Sequence, residues 1–405
     1  MGILDAPSYS RVQSDKRLQP VRSRMRIPAG EGPKPYKNGL SNGTDMGANS
    51  KKRIIASQRV TDLTVKFGNF YALSGVETLG PNNITVRCAV FYNGTYYPLR
   101  FRGSRDVVIE PGALVETDSC GIDIPAGAVY YIMTYITVAS AGMKWGLNTL
   151  FSRGGAFGEE YVASTSPTDL TTTGGFTASG SLIGYGPVQV LCRNTNSKPY
   201  VAVIGDSITD GSGDTTTADG SAGSERGWIV RALIPNFPLQ VLSQPGGQAS
   251  QFTFNQMGHR MSLIGDAEVA IVGYGTNDLT ANKTFVQLQA ALQYIYDYCA
   301  ARGMRVFAAT IPPFVTSTDG YLTLANQTIA YTSPQETIRK QINDWIRTLP
   351  APLTGYFEAA DAVESARDSG KWRVDLGGSA TFDGKHPSSL GYAAMQATLD
   401  TSKLL

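Results

Sequence analysis

The chain has 405 residues, 42% of them apolar, and a formal net charge of +2. That length allows two domains with substantial cores, and the near-neutral charge gives no reason to expect nucleic acid as a partner. No apolar run reaches the roughly 20 residues that a membrane helix requires; the nearest, AVYYIMTYITV from Ala128, is short and rich in β-branched and aromatic residues, and reads as a strand.

Residues 1–54 are polar, rich in Pro, Gly and Asn, and basic, with Arg22, Arg24, Arg26 and Lys51-Lys52-Arg53 among the charges. Hydrophobic periodicity is absent, so an extended or disordered arm is expected. The opening MGILDAPSYS lacks the basic and apolar regions of a secretory signal. Gly2 stands where a myristoylated glycine would, but Ala6 replaces the usual Ser or Thr, and no lipid is expected.

Residues 55–195 change to short β-like runs between turn residues. TVRCAVFY and TYYPLRF flank Asn93-Gly94, a two-residue hairpin signal, and DVVIE closes at Pro111-Gly112. Helical spacing is scarce, which predicts an all-β sandwich of jelly-roll type. Cys88, Cys120 and Cys192 fall here and Cys299 beyond; with no CxxC spacing, free thiols are expected rather than a zinc site.

Residues 196–405 alternate apolar strands (YVAVI, LQVL, VAIV, VFAAT, GYFEA) with amphipathic helices at 227–234, 284–302 and 334–348. This predicts a parallel sheet covered on both faces, with ligands bound outside the carboxyl ends of the strands. The first of these strands runs VAVIGDSITDG, so a buried strand ends by presenting Ser207. Either this is a corner built from small polar residues, or it holds a nucleophile.

A nucleophilic serine needs a base, an orienter for that base and donors for an oxyanion. Only two histidines exist. His259, in QMGHR, has no carboxylate beside it and reads as a surface or structural residue. His386, in TFDGKHPSS, follows Asp383 by three positions, a spacing that lets the carboxylate reach one ring nitrogen while the other faces the serine. Oxyanion donors are available from the Ser207 N–H, from the glycines of SQPGGQAS and from the Asn277 amide in GYGTNDL. Asp206 and Asp278 read as loop-shaping residues, Trp228 and Trp345 as core, and Pro312-Pro313 as part of a pocket rim.

Gly205-Asp206-Ser207, Gly275-Thr276-Asn277-Asp278 and Asp383-Gly384-Lys385-His386, in this order and each after a strand or in a late loop, resemble blocks of the SGNH (GDSL-type) hydrolase superfamily. The likeness runs from about Pro199 to the end. It implies a flavodoxin-like three-layer α/β/α domain and a serine esterase without metal or organic cofactor. In that scheme Ser207 is the nucleophile, His386 the base and Asp383 its orienter. Asn277, the Ser207 N–H and Gly247, with Gly246 as the alternative, serve the oxyanion. The second block departs from the family pattern, reading Ser-Gln-Pro-Gly-Gly.

The preceding β-sandwich resembles carbohydrate esterases, so an acetylated polysaccharide is the expected substrate. The competing readings are a lipid or aryl esterase of this fold and a non-catalytic virion adhesin. The basic arm resembles that of bacteriophage tail proteins, which implies virion partners bound through residues 1–54. Action at the bacterial cell surface follows from that reading; a cytoplasmic protein is the other location and a homo-oligomer is compatible with both.

Overall fold

Alternation builds the N-terminal half, where every second side chain of a strand points inward. In the computed structural model, which describes residues 26–30, 39–150, 159–175, 183–195, 197–214 and 227–405, the strands in chain order are β1 (Arg26–Pro28), β2 (Gly47–Ile55), β3 (Thr64–Gly68), β4 (Phe70–Leu73), β5 (Val76–Leu79), β6 (Ile84–Tyr92), β7 (Thr95–Pro98), β8 (Val107–Ile109), β9 (Leu114–Glu116), β10 (Val129–Thr137), β11 (Thr149–Leu150), β12 (Glu160–Ser164), β13 (Ile183–Gly184) and β14 (Gln189–Arg193). Two antiparallel sheets form, one in the order β1-β14-β3-β9, the other β12-β2-β10-β6-β7 with β8 also on β6. Val65 and Phe67 of the first sheet and Val86, Cys88, Ile132 and Ile136 of the second meet in one buried core. The Asn93-Gly94 turn joins β6 to β7 as expected, both residues at positive φ (48° and 76°). All four cysteines are free.

The extended arm expected over 1–54 does not hold for 26–30 and 39–54. β1 and β2 belong to the two sheets, so the folded β-domain includes 26–30 and 39–54, while 1–25 and 31–38 lie outside the described residues. The charge run misled because Lys51-Lys52-Arg53 sits on a strand whose first buried side chains are small or polar, Ala48, Asn49 and Ser50, with a single large apolar core residue, Ile54, only after the charges. Lys52 pairs with buried Glu159 at 2.7 Å, and the Lys51 ammonium covers the Tyr131 ring, 4.6 Å from its centroid.

The second half is wound around one parallel sheet. Its strands are β15 (Val201–Gly205), β16 (Leu239–Val241), β17 (Val269–Gly273), β18 (Arg305–Ala309) and β21 (Leu353–Phe357), in the order β16-β15-β17-β18-β21. A two-stranded ribbon, β19 (Val315–Ser317) with β20 (Gln327–Ile329), follows β18. The helices are α1 (Ser207–Asp210), α2 (Trp228–Leu233), α3 (Phe254–Leu263), α4 (Thr276–Thr280), α5 (Phe285–Ala301), α6 (Ser333–Arg347), α7 (Ala359–Val363) and α8 (Ser389–Gln396). Among the described residues no helix is long and apolar enough to cross a membrane.

Period-two alternation divides the sheet's side chains between its faces. Ala202, Ile204, Ala270 and Val272 pack with Leu288, Leu292 and Ile295 of α5 and Ile342 of α6. Val201, Val203, Val269 and Ile271 pack with Trp228 and Leu233 of α2 and Tyr392 and Met395 of α8. Burying each large aliphatic contributes about 1.5–3 kcal/mol. The result is the expected three-layer α/β/α arrangement, with the reversal of strand order beside β15 placing the loops after β15, β16 and β17 at one end of the sheet.

Candidate active site

Gly205 ends β15 where any Cβ would lie 2.2 Å from Thr209 Oγ1 and 2.4 Å from the Gly273 carbonyl. Only glycine lets the chain turn this close to β17. Asp206 then caps α1, its Oδ1 accepting the Ile208 N–H at 2.9 Å. Ser207 is the first helical residue, a position whose N–H has no acceptor within the helix.

The remaining side chain comes from a loop late in the sequence. Asp383 Oδ1 accepts the backbone N–H groups of Lys385 (2.9 Å) and His386 (2.7 Å), and Oδ2 lies 2.7 Å from His386 Nδ1. His386 Nε2 lies 2.8 Å from Ser207 Oγ. The carboxylate fixes the proton on Nδ1, which leaves Nε2 as the acceptor facing the serine hydroxyl. Gly384, at φ +84° and with Val315 O only 1.9 Å from where a Cβ would stand, makes this turn possible. The Trp372 indole donates to the Gly384 carbonyl at 2.8 Å and Thr381 Oγ1 to the His386 carbonyl at 2.6 Å, so the loop is tied from both sides. Burial raises the affinity of Asp383 for a proton, but the bonds from the His386 ring and backbone outweigh it and hold the carboxyl at about 2. It therefore carries its charge throughout the neutral range.

The loop after β16 approaches from the other side. Gly247 is pressed against Gln244 O and Tyr274, and its N–H closes a turn on Gln244 O at 2.9 Å. Asn277 Nδ2 donates to the Gly247 carbonyl at 3.0 Å, and Gly246 takes the left-handed conformation at φ +79°. Asp278 accepts from Ala249 N (2.9 Å) and Ser250 N (3.3 Å). Asp206 and Asp278 thus shape loops, as expected. Trp228 is fully buried, and Trp345 stacks on Tyr296. Pro312 lines a small void beneath the Ser207 turn, together with Asp206, Thr209 and Thr276.

Sequence reasoning missed the braces. Asp214, four per cent exposed, pairs with Arg231 of α2, accepts the Gly227 N–H at 2.9 Å and the Ser389 hydroxyl at 3.1 Å, and so ties the segment after α1 to α2 and α8. An Asp and an Arg 17 residues apart carry no local signal. Both oxygens of the Glu77 carboxylate, from the β-domain, bond to His259 and Arg260 on α3, so His259 is a structural residue of the domain boundary.

Residues 203–394 match the family model of the GDSL-like lipase/acylhydrolase family. This segment is a GDSL-like acylhydrolase domain. The acylhydrolase domain is similar in fold to a GDSL-like lipase of Bacteroides thetaiotaomicron (15% identity, 50% of this chain and 86% of that one, TM-score 0.34). It is also similar to a member of the lipolytic protein G-D-S-L family from Veillonella parvula (15%, 49% and 94%, 0.35) and to the acetylxylan esterase Axe2 of Geobacillus stearothermophilus (13%, 50% and 93%, 0.36). No curated protein matches the chain.

The Asp206 carboxyl gives the acylhydrolase domain a testable pH dependence. Burial pushes its pKa up to about 7 from 3.8. Between those values the folded state holds a proton that the unfolded state has released, so this group's contribution to stability falls as pH rises through that window. Asp206→Asn keeps the cap acceptor and removes the titration. Its thermal midpoint relative to wild type is expected to be higher at pH 8 than at pH 5; an equal difference at both pH values would contradict the assignment.

Proposed function

We propose that the chain is a serine esterase that removes O-acetyl groups from a polysaccharide through an acyl-Ser207 intermediate. The unbroken series Ser207 Oγ, His386 Nε2, His386 Nδ1, Asp383 Oδ2, with contacts of 2.8 and 2.7 Å, is the observation that carries it. His386 takes the serine proton as Oγ attacks the ester carbonyl, and Asp383 stabilises the imidazolium that forms. The oxyanion is met by the Ser207 N–H, by the Gly246 N–H, because that of Gly247 closes the turn on Gln244 O, and by Asn277. The Asn277 amide carries two hydrogens and spends one on Gly247 O. His386 then protonates the leaving alcohol, and water reverses the steps to release the acid.

Two features support a sugar rather than a lipid. The sequence at 215–226, TTTADGSAGSER, is polar and contains no apolar run. Phe382, 59% exposed, presents its ring 6.3 Å from the His386 ring, a flat apolar face suited to a pyranose. The strand orders β1-β14-β3-β9 and β2-β10-β6-β8 support a jelly-roll reading of the β-domain, the architecture of many lectin domains.

The test compares acetate release from acetylated polysaccharide with hydrolysis of p-nitrophenyl esters of increasing acyl length. Acetyl esters are expected to be the best substrates, and Phe382→Ala is expected to raise KM for the polysaccharide several-fold while sparing p-nitrophenyl acetate. A preference for long acyl chains would favour a lipase instead.

A further inference from the structure

The β4–β5 hairpin of the β-domain reaches across the domain boundary to the loop that carries Gly247. At its tip, Gly75 (φ +89°) sits so close that a Cβ would lie 2.7 Å from Gly247 Cα and 2.0 Å from Gln251 Oε1. The Ser74 carbonyl accepts from Gln251 Nε2 at 3.1 Å, and the Gly75 carbonyl accepts from Arg260 Nη2.

The hairpin is itself locked to α3. Arg260 is fully buried. Glu77 Oε1 accepts from Arg260 N (2.8 Å) and Nε (3.0 Å), while Oε2 accepts from His259 N (2.8 Å) and lies 2.9 Å from His259 Nδ1. The other ring nitrogen of His259 lies 2.8 Å from the Gly112 carbonyl, and the ring stacks on Phe70 with centroids 4.3 Å apart. His259 thus faces acceptors at both ring nitrogens, and the bond to Glu77 raises its affinity for a proton. Glu77 sits between His259 and the Arg260 guanidinium with its oxygens filled, which fixes where the tip of the hairpin stands.

On the opposite side, Asn277 and Asp278 hold the same loop from within the acylhydrolase domain, at Gly247 O, Ala249 N and Ser250 N. We infer that the hairpin is the outer wall of the oxyanion loop, and that Gly75 and Glu77 are positioning residues that fix Gly247 against Asn277. The inference rests on the esterase reading above. Because a displacement of a fraction of an ångström is enough to misalign an oxyanion donor, an extra methyl at Gly75 is felt in the chemical step rather than in ground-state binding.

The experiment uses the full chain, with kcat and KM for p-nitrophenyl acetate measured on wild type, Gly75→Ala and Glu77→Gln, and folding checked by circular dichroism and thermal midpoint. Folded Gly75→Ala is expected to lose roughly tenfold or more in kcat with KM changed less than about twofold, as befits an interaction felt only in the transition state. Reaction with a serine-directed phosphonate, which forms a tetrahedral oxyanion adduct, is expected to slow in parallel. Should Gly75→Ala not fold, Glu77→Gln assayed below its melting transition decides, with the same split expected. Wild-type kcat in a folded variant, or a rise in KM alone, overturns the inference while leaving the esterase reading intact. A wild type without esterase activity overturns the esterase reading and this inference with it.

Discussion

Ser207→Ala is expected to reduce kcat for ester hydrolysis by about 10⁴-fold or more, the loss typical when a triad nucleophile is removed. The Ser207 hydroxyl meets His386 Nε2 at 2.8 Å, while its backbone starts α1 through the Asp206 cap. Losing one oxygen therefore removes the attacking atom without disturbing the cap or the turn at Gly205. The thermal midpoint should stay within a degree or two of wild type, since no buried charge or large void is created. His386→Ala in the same background should add little, because the members of such a unit act together. Activity in folded Ser207→Ala above about 1% of wild type would reject the acyl-serine mechanism, because that much turnover exceeds what an oxyanion site and binding alone sustain.

Arg339→Leu is expected to have the largest effect on stability, about 3–5 kcal/mol, the range for removing one partner of a buried ion cluster. Arg339 of α6 is fully buried. It donates to Glu336 at 2.8 and 2.7 Å, to Glu364 at 2.7 Å and to the Ile311 carbonyl at 3.1 Å. Leucine fills most of the volume but leaves buried Glu364 without its counter-charge and Glu336 with only the longer contact to Lys340, at 3.7 Å. For a domain of this size the cost corresponds to roughly 6–20 °C in the melting transition, measured by differential scanning calorimetry. Adding Glu336→Gln and Glu364→Gln should recover part of the loss, since the uncompensated charges go with them. A shift under about 2 °C for Arg339→Leu would show that the cluster contributes little. The cluster also bears on the site, because Asn343, one turn along α6, brackets Ile311 from both its N–H (2.7 Å) and its carbonyl (3.0 Å), and Pro312 follows at the void beneath Ser207.

Most of the acylhydrolase domain was legible because its signals are local. An apolar run such as VAVI must be a strand buried on both faces, and all four of those residues are buried. Three motifs at the ends of such runs, in a chain with two histidines, leave few ways to assemble a nucleophile and a base. Asp383 and His386 are three residues apart, so their pairing depends on one turn rather than on the whole fold. The first strands were hidden for the opposite reason. β2 buries alanine, asparagine and serine ahead of its charges at Lys51, Lys52 and Arg53, so its character comes from neighbours distant in sequence, Glu159 and Tyr131. The hairpin at 70–79 was invisible as part of the site because its relation to Gly247 exists only once two domains have docked.

The placement of β14 sets an order of assembly during synthesis. This strand lies between β1 and β3 and pairs Cys192 with Ile27 and Val190 with Val65, so the N-terminal sheet has a gap at its centre until Arg193 has emerged from the ribosome. Closing a loop of that span is slow compared with the local pairings that follow. Val201, where β15 begins, comes only a few residues later. The nascent chain therefore completes its first domain almost as it starts the second, and a truncation meant to isolate the acylhydrolase domain must cut between 194 and 200 or take the middle strand of the other domain with it.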